Sequence, residues 1–212
     1  MTTHRLSRAD LAGPAERVAP LLLGAVLESG EPQGSGGSVA VRITEVEAYG
    51  GVGADPASHA HRGHTKRNVT MFGEPGHLYV YFVYGMHWCV NVVCGEPSEA
   101  SAVLVRAGEV LSGKEVARER RGEPRPDREL ARGPANLAVA LGITGDHNGL
   151  DLMGDGSEVR LRPRQAGTPA LDEIACGPRV GIRHAADRPW RWWIAGDPTV
   201  SRHPGVRTDR PR

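Results

Sequence analysis

Two charged side chains end apolar, strand-like segments of this sequence and could carry chemistry together. Glu47 lies near the end of the run 39–49, and Arg106 ends the run 103–106. A carboxylate in such a place loses contact with bulk water, and it could take a proton from a water molecule that attacks an electrophilic carbon. Two opposite charges at neighbouring strand ends could hold one water between them. An ordinary strand-end acid paired with an arginine is the simpler alternative.

A second group of possible functional residues is the set of three histidines in the run Ser-His-Ala-His-Arg-Gly-His, namely His59, His61 and His64. The His-x-His spacing can chelate a metal ion, which leaves a metal hydrolase as an alternative. No cysteine or acid follows at a fitting distance. We therefore expect no metal and no cofactor, and we favour a hydrogen-bonding role for one imidazole.

The aromatic residues are concentrated in one short segment. Six of the ten lie between Phe72 and Trp88. Residues 76–93 are rich in Val, Tyr, Phe and Trp, which predicts two strands joined at residues 84–87, where Gly85 can supply a positive φ. Aromatic faces on a stiff hairpin suit stacking on flat heterocycles. Packing of a hydrophobic core is the alternative interpretation.

The elements that must position these residues follow from periodicity and turn signals. Further strands are predicted at 25–29, 39–49, 102–107 and 158–162, a long polar loop at 50–68, and helices at 109–121 and 135–141, the second opened by Gly133 and Pro134. Regular alternation would place Glu47 on the apolar face that contains Val41 and Ile43. Strands outnumber helices, which predicts the α+β class. We expect one mostly antiparallel, curved sheet with flanking helices and a protruding β-hairpin.

Length and charge narrow the range of functions. The chain has 212 residues and a net charge of +1. We expect one domain over residues 1–202, followed by a basic, frayed tail at 203–212. No apolar run is long enough to span a bilayer, and three cysteines with no signal-like start favour a cytoplasmic protein. Any nucleic-acid site must be a local basic patch, such as the one that contains Lys66 and Arg67.

Several sequence blocks occur in an order that resembles one known family. The blocks are Glu45-Val-Glu-Ala-Tyr49, Ser58-His59, residues 65–68, residues 75–86, Asn91, residues 103–107, Gly133-Pro134 and residues 179–182. Together they are similar to the methylpurine (alkyladenine) DNA glycosylases over residues 11–201. The resemblance implies a single domain whose β-hairpin enters the minor groove of DNA.

The resemblance also implies roles at the reacting bond. Glu47 is similar to the family's general base, which activates the water that attacks the deoxyribose C1′. Arg106 and the backbone of Val180 resemble the groups that position this water. Tyr49 and Tyr81 resemble the aromatic walls around the extruded base.

Further roles concern the base and the DNA. By the same resemblance, His59 meets the base edge, and Asn91 discriminates against the exocyclic amine of guanine. Tyr84 resembles the residue that fills the gap in the helix, with Met86 beside it. Lys66 and Arg67 are expected to contact phosphates.

The implied activity is that of a monofunctional DNA glycosylase. It would flip alkylated or deaminated purines out of duplex DNA and hydrolyse the N-glycosidic bond, as a monomer and without a metal or cofactor. Two positions depart from the family pattern: His87 stands where an aromatic residue is common, and Asn136 where a lysine is often found. The alternative is a non-catalytic nucleic-acid-binding module that uses the hairpin as a wedge.

Overall fold

The computed structural model describes residues 6–30, 37–122, 124–164 and 173–201. The expected basic tail, residues 203–212, lies outside these ranges, as do the first five residues. The domain boundary at residue 202 therefore stays a prediction. Within the described ranges, no helix is long and apolar enough to cross a bilayer.

In the described ranges, nine strands form one antiparallel sheet. The strands are β1 (Val26–Ser29), β2 (Val39–Tyr49), β3 (Leu78–Val83), β4 (His87–Cys94), β5 (Ser101–Ser112), β6 (Ala131–Arg132), β7 (Val159–Arg162), β8 (Ile174–Gly177) and β9 (Arg191–Ile194). Their main order is β3-β4-β5-β2-β1-β7, while β6 pairs with β5, and β9 pairs with both β2 and β8. This architecture confirms the predicted α+β class and its mostly antiparallel sheet.

Short helices cover the sheet and complete the core. They are α1 (Arg8–Leu11), α2 (Ala15–Leu22), α3 (Lys114–Arg121) and α4 (Pro134–Leu141). Helix α2 packs on β2 and β5, and α4 packs on β4 and β5. Leu22, Ile43 and Leu137 are fully buried in this core, and each such side chain contributes about 1.5–3 kcal/mol through the removal of apolar surface from water. The helix predicted to open at Gly133 and Pro134 is confirmed, with proline in the first turn, where its missing N–H costs nothing.

The pairing of β2 with β5 is irregular, and this irregularity decides where Glu47 lies. The register passes from Ile43↔Gly108 to Glu45↔Ala107 and then to Val46↔Val105. One residue of each strand is therefore left without a register partner. An extra residue reverses the side-chain alternation. Val41 and Ile43 belong to the core before this point, and Val46 and Ala48 belong to it afterwards. The expectation that Glu47 shares the face of Val41 and Ile43 is therefore wrong.

The helix predicted at residues 109–121 begins later than expected. Strand β5 continues to Ser112, because Glu109 and Val110 still pair with β2. The chain turns at Gly113, which has a φ of 73°. A Cβ at this glycine would lie 2.1 Å from the carbonyl oxygen of Ser38, so close strand contact requires a residue without a side chain. Cross-strand pairing thus overrides the helical pattern of the first four residues.

The predicted β-hairpin is confirmed. Strands β3 and β4 pair up to Val83↔His87, and the turn places Tyr84 at a φ of 54° and Gly85 at a φ of 69°. Two consecutive positive φ values are typical of the tight turns that match strand twist. At the tip, Tyr84 is 81% exposed and Met86 is 67% exposed. The hairpin therefore presents two large apolar side chains to solvent.

Candidate active site

A cavity of about 370 Å³ lies at the base of the hairpin, against β5, the start of α4 and residues 180–182. This volume lies within the range of small-molecule sites. Seven of the predicted site residues line it, namely Tyr49, His59, Tyr81, Tyr84, Asn91, Arg106 and Val180. The structure therefore brings together residues that are far apart in the sequence.

His59 is packed among aromatic residues on one side of the cavity. Its ring centroid is 4.5 Å from that of Tyr81, edge to face, and its Nδ1 is 3.1 Å from the Tyr79 hydroxyl. Partial burial, and then the positive charge of Arg67, lowers the pKa of His59 to about 4. Burial raises the pKa of Tyr79 to about 12. At neutral pH the imidazole is therefore uncharged, with one donor and one acceptor nitrogen.

Asn91 forms part of the cavity wall on β4. Its register partners are Tyr79 on β3 and Leu104 on β5. The side chain is buried, and its Nδ2 donates to the carbonyl oxygen of Tyr79 at 3.0 Å. This bond holds the carboxamide against the wall, because a buried amide is costly to leave unpaired.

Glu47 is fully buried one layer behind the cavity, and its carboxylate contacts three residues that line it. Its Oε1 accepts the Val180 N–H at 2.7 Å, and its Oε2 accepts the Tyr49 hydroxyl at 2.9 Å. Arg106 Nη1 lies 3.4 Å from Oε2. Burial, and then the negative charge of Glu47, raises the pKa of Tyr49 well above its ordinary value, so the phenol stays a hydrogen-bond donor.

Arg106 is shared between Glu47 and a second buried acid, Glu45. Its Nε donates to Glu45 Oε1 at 3.0 Å. Burial disfavours the charged guanidinium, but Glu47 and then Glu45 more than offset this and raise the pKa of Arg106. The sequence interpretation missed Glu45 as a functional candidate, although its position two residues before Glu47 on the same strand was a signal.

A second buried ion pair was also missed. Asp55 accepts two bonds from Arg179, at 2.6 and 2.9 Å, and neither side chain is exposed. Arg179 also donates to the carbonyl oxygen of Ala48 at 2.9 Å and lies 4.8 Å from the centroid of the Tyr49 ring. Because Arg179 directly precedes Val180, this pair fixes the backbone N–H that bonds to Glu47.

The basic residues beside the hairpin differ in their surroundings. Arg67 donates from Nη2 to the carbonyl oxygen of Phe82 at 3.0 Å, and its guanidinium lies 5.5 Å from the ring centroid of Tyr81. It therefore ties the loop 50–68 to the hairpin. Lys66 is exposed next to it.

Sequence comparison assigns the family. The sequence model described as methylpurine-DNA glycosylase matches residues 9–198. The chain belongs to this family. A relative from Cutibacterium acnes is 50% identical over 94% of this chain and 99% of its own length, and one from Leifsonia xyli subsp. xyli is 52% identical over 88% of both chains. A relative from Burkholderia lata is 48% identical over 92% of this chain and 90% of its own length. All three are described as proposed 3-methyladenine DNA glycosylases.

Membership of the methylpurine-DNA glycosylases makes the chain an enzyme that hydrolyses N-glycosyl bonds in DNA repair. The two departures from the family pattern have defined places. His87 lines the cavity at the start of β4. Asn136 lies in the first turn of α4, where its Nδ2 donates to the carbonyl oxygen of Arg132 at 2.7 Å. Asn136 is therefore bonded within the protein at this position.

Two of the three histidines of the loop, His59 and His64, have separate environments. His59 contacts the cavity tyrosines, whereas the His64 ring lies 5.0 Å from that of Phe72. Among the described residues, no group of three or more histidines, cysteines or acids is arranged to hold a metal ion.

Proposed function

We propose that the chain is a monofunctional DNA glycosylase that extrudes alkylated and deaminated purines from duplex DNA. In this proposal, a water molecule activated by Glu47 hydrolyses the N-glycosidic bond. The observation that carries it is the position of Glu47: a fully buried carboxylate bonded to Val180 and Tyr49, both of which line a cavity beneath an exposed aromatic hairpin.

The exposed hairpin tip supports the extrusion step. A base inside a duplex is out of reach, and unstacking it costs on the order of a few kcal/mol, least for damaged or mispaired bases. Tyr84 would enter the vacated space, with Met86 beside it. Stacking of the extruded base on Tyr49 and Tyr81 would return about 1–3 kcal/mol.

The surroundings of Glu47 support its role as the general base. A carboxylate offers about four acceptor positions, and the Val180 N–H and the Tyr49 hydroxyl use two of them. Water could donate to a third, with Arg106 and the Val180 segment beside it. Its oxygen would bond to C1′, its proton would pass to Glu47, and the base would leave with the bonding electrons. The ionised carboxylate would also stabilise oxocarbenium character on the sugar.

The cavity walls support a preference for damaged purines. A positively charged alkylated base gains about 0.5–2 kcal/mol from electron-rich rings such as Tyr49 and Tyr81. Asn91 would exclude bases with guanine's exocyclic amine, because burying that group without a partner is costly. Neutral His59 could donate to or accept from the base edge, which would also admit hypoxanthine.

The remaining parts of the proposal concern the reaction type, the oligomeric state and the contacts with duplex DNA. The described residues that line the cavity include no lysine, so a Schiff-base lyase step has no nucleophile there. We propose that the enzyme acts as a monomer. Lys66 and Arg67 would contact phosphates, so DNA affinity should fall as salt concentration rises.

The test is single-turnover excision on duplexes that each contain one modified base: a methylated purine, hypoxanthine or ethenoadenine. We expect abasic sites from at least one of them. Glu47→Gln should slow excision by about 10²–10⁴-fold, because it removes the proton acceptor, and should still bind the damaged duplex. Glu109→Gln, a substitution of the same chemistry on β5, is the matched control.

Two outcomes would contradict this proposal. Excision by Glu47→Gln at the wild-type rate would remove its role as the base. Binding of damaged duplexes by the wild-type chain without release of any base would favour the non-catalytic module.

A further inference from the structure

We propose that Glu45 is a positioning residue: it holds the Arg106 guanidinium away from Glu47 and so preserves space for the reacting water. The inference rests on the proposed function of Glu47, and it adds a residue that does not itself line the cavity. Glu45 acts through Arg106, which does.

Glu45 accepts four hydrogen bonds from three residues. It is fully buried, and besides the bond from Arg106 it accepts the Arg191 Nε–H at 2.6 Å. Its Oε2 accepts the Ser201 N–H at 2.7 Å, and its Oε1 is 2.8 Å from the Ser201 hydroxyl. Donors from β5, β9 and the segment that follows β9 thus converge on one carboxylate, which fixes its position.

Arg106 is held unequally by its two acids. Its Nε bonds to Glu45 at 3.0 Å, while its Nη1 stays 3.4 Å from Glu47. Charge-assisted bonds are usually about 2.7–2.9 Å long, and a guanidinium readily forms two parallel bonds to one carboxylate. Such a bidentate pair with Glu47 would occupy the acceptor positions that the water needs. The bond to Glu45 turns the guanidinium away from that arrangement.

The charges of the buried group around Glu45 balance, which explains why the charge of Glu45 is important for the position of Arg106. Glu45 and Glu47 oppose Arg106 and Arg191, so this buried group of four is neutral. If Glu45 became neutral, two guanidiniums would share one carboxylate. Electrostatic attraction is strong in a low-dielectric interior, so Arg106 would move toward Glu47.

The test is a double-mutant cycle on single-turnover excision of an alkylated purine. Glu45→Gln should slow excision by about 10- to 100-fold, the effect of misplacing a group that orients the reactants. Affinity for the damaged duplex should change less than about threefold, because the interaction acts in the transition state. In an Arg106→Ala background, Glu45→Gln should add less than about a twofold loss, because the effect passes through Arg106. Losses that multiply would overturn the proposal.

A crystal structure of Glu45→Gln gives a readout that does not depend on activity. We expect Arg106 Nη1 to approach Glu47 to hydrogen-bonding distance, and an unchanged separation would contradict the inference. If Glu45→Gln does not fold, Ser201→Ala takes its place in both measurements, since it removes no charge and only two contacts, the bond to Glu45 and the 3.5 Å contact with Arg106 Nη2. It should slow excision by about two- to fivefold, and a wild-type rate with an unmoved Arg106 would overturn the proposal.

The two proposals can fail separately. Normal excision by Glu47→Gln would refute the proposed base, while the crystal structure would still test what Glu45 does to Arg106. Normal excision by Glu45→Gln, together with inactive Glu47→Gln, would refute the positioning role alone.

Discussion

Two arginines on the paired strands β2 and β5 each lie between two acids, and the contrast between them is instructive. Arg42 on β2 bonds to Glu109 at 2.7 Å and to Asp197 at 2.8 Å. Arg106 on β5 bonds to Glu45 at 3.0 Å but stays 3.4 Å from Glu47. The side chain of Glu109 is 46% exposed, whereas those of Glu45 and Glu47 are fully buried.

The same residue types therefore have different roles in the Arg42 cluster (with Glu109 and Asp197) and in the Arg106 cluster (with Glu45 and Glu47). The Arg42 cluster has close bonds to both acids and partial contact with solvent, so it stabilises the sheet only slightly. The Arg106 cluster is shielded from water and borders a cavity, and it leaves one acid incompletely paired. Burial and neighbouring space, rather than the pairing of charges itself, distinguish a candidate active site from a structural ion pair.

The largest expected contrast is in stability. Glu45→Gln should lower the free energy of unfolding by about 3–5 kcal/mol, because it leaves a buried positive charge uncompensated. Glu109→Gln should lower it by at most about 1 kcal/mol, since the pair is partly exposed. Urea unfolding of both variants measures the difference. Equal losses would mean that burial does not separate the clusters.

A second contrast is in activity. Arg106→Lys should slow single-turnover excision by about 10- to 100-fold, because an ammonium lacks the planar fork that reaches both acids in fixed geometry. Arg42→Lys should leave the rate within about twofold, since it lies outside the cavity lining. A comparable slowing in both variants would point to a general effect of the β2–β5 pairing.

The smallest expected contrast is in how the free energy of unfolding depends on acidic pH at a buried and at an exposed aspartate. Although burial opposes it, the Arg179 contacts lower the pKa of Asp55 below its ordinary value of 3.8. The stability from this pair is therefore present above pH 3.8 and declines as the pH falls through the lowered pKa. The stability advantage of the wild-type chain over Asp55→Asn should shrink in that range.

Asp127→Asn is the exposed control for this experiment. Bonds from Lys114 and Arg118 lower the pKa of Asp127 in the same direction, but solvent screens the group. The stability advantage of the wild-type chain over Asp127→Asn should therefore be small at every pH. Unfolding measured as a function of pH tests both, and an advantage over Asp55→Asn that grows in acid would contradict the sign.

Local patterns predicted several elements well. Alternating β-formers with Gly85 at the turn indicated the hairpin, and Gly133 followed by Pro134 indicated the start of α4. Strand β8 was missed, because a four-residue strand is a weak signal and it exists through its pairing with β9. The start of α3 was misplaced for a related reason: pairing across the sheet decided it.

The candidate site was only partly predictable. Glu47 and Arg106 stood out because each follows an apolar run, although Arg106 does not end its strand, since β5 continues to Ser112. Asp55 and Arg179 gave no such signal, since they are 124 residues apart and meet only in the fold. Their roles, like those of the other site residues, stay predictions that the experiments above test.

By itself, the sequence determined that this chain has an aromatic hairpin, a buried acid at the end of a strand and the blocks of a DNA glycosylase. Only the tertiary structure decided which face of β2 carries Glu47 and which acid holds Arg106. The physical reason is that side chains alternate with a period of two. A register that skips one residue on each of two paired strands reverses that alternation, and the skip depends on contacts between strands about 60 residues apart.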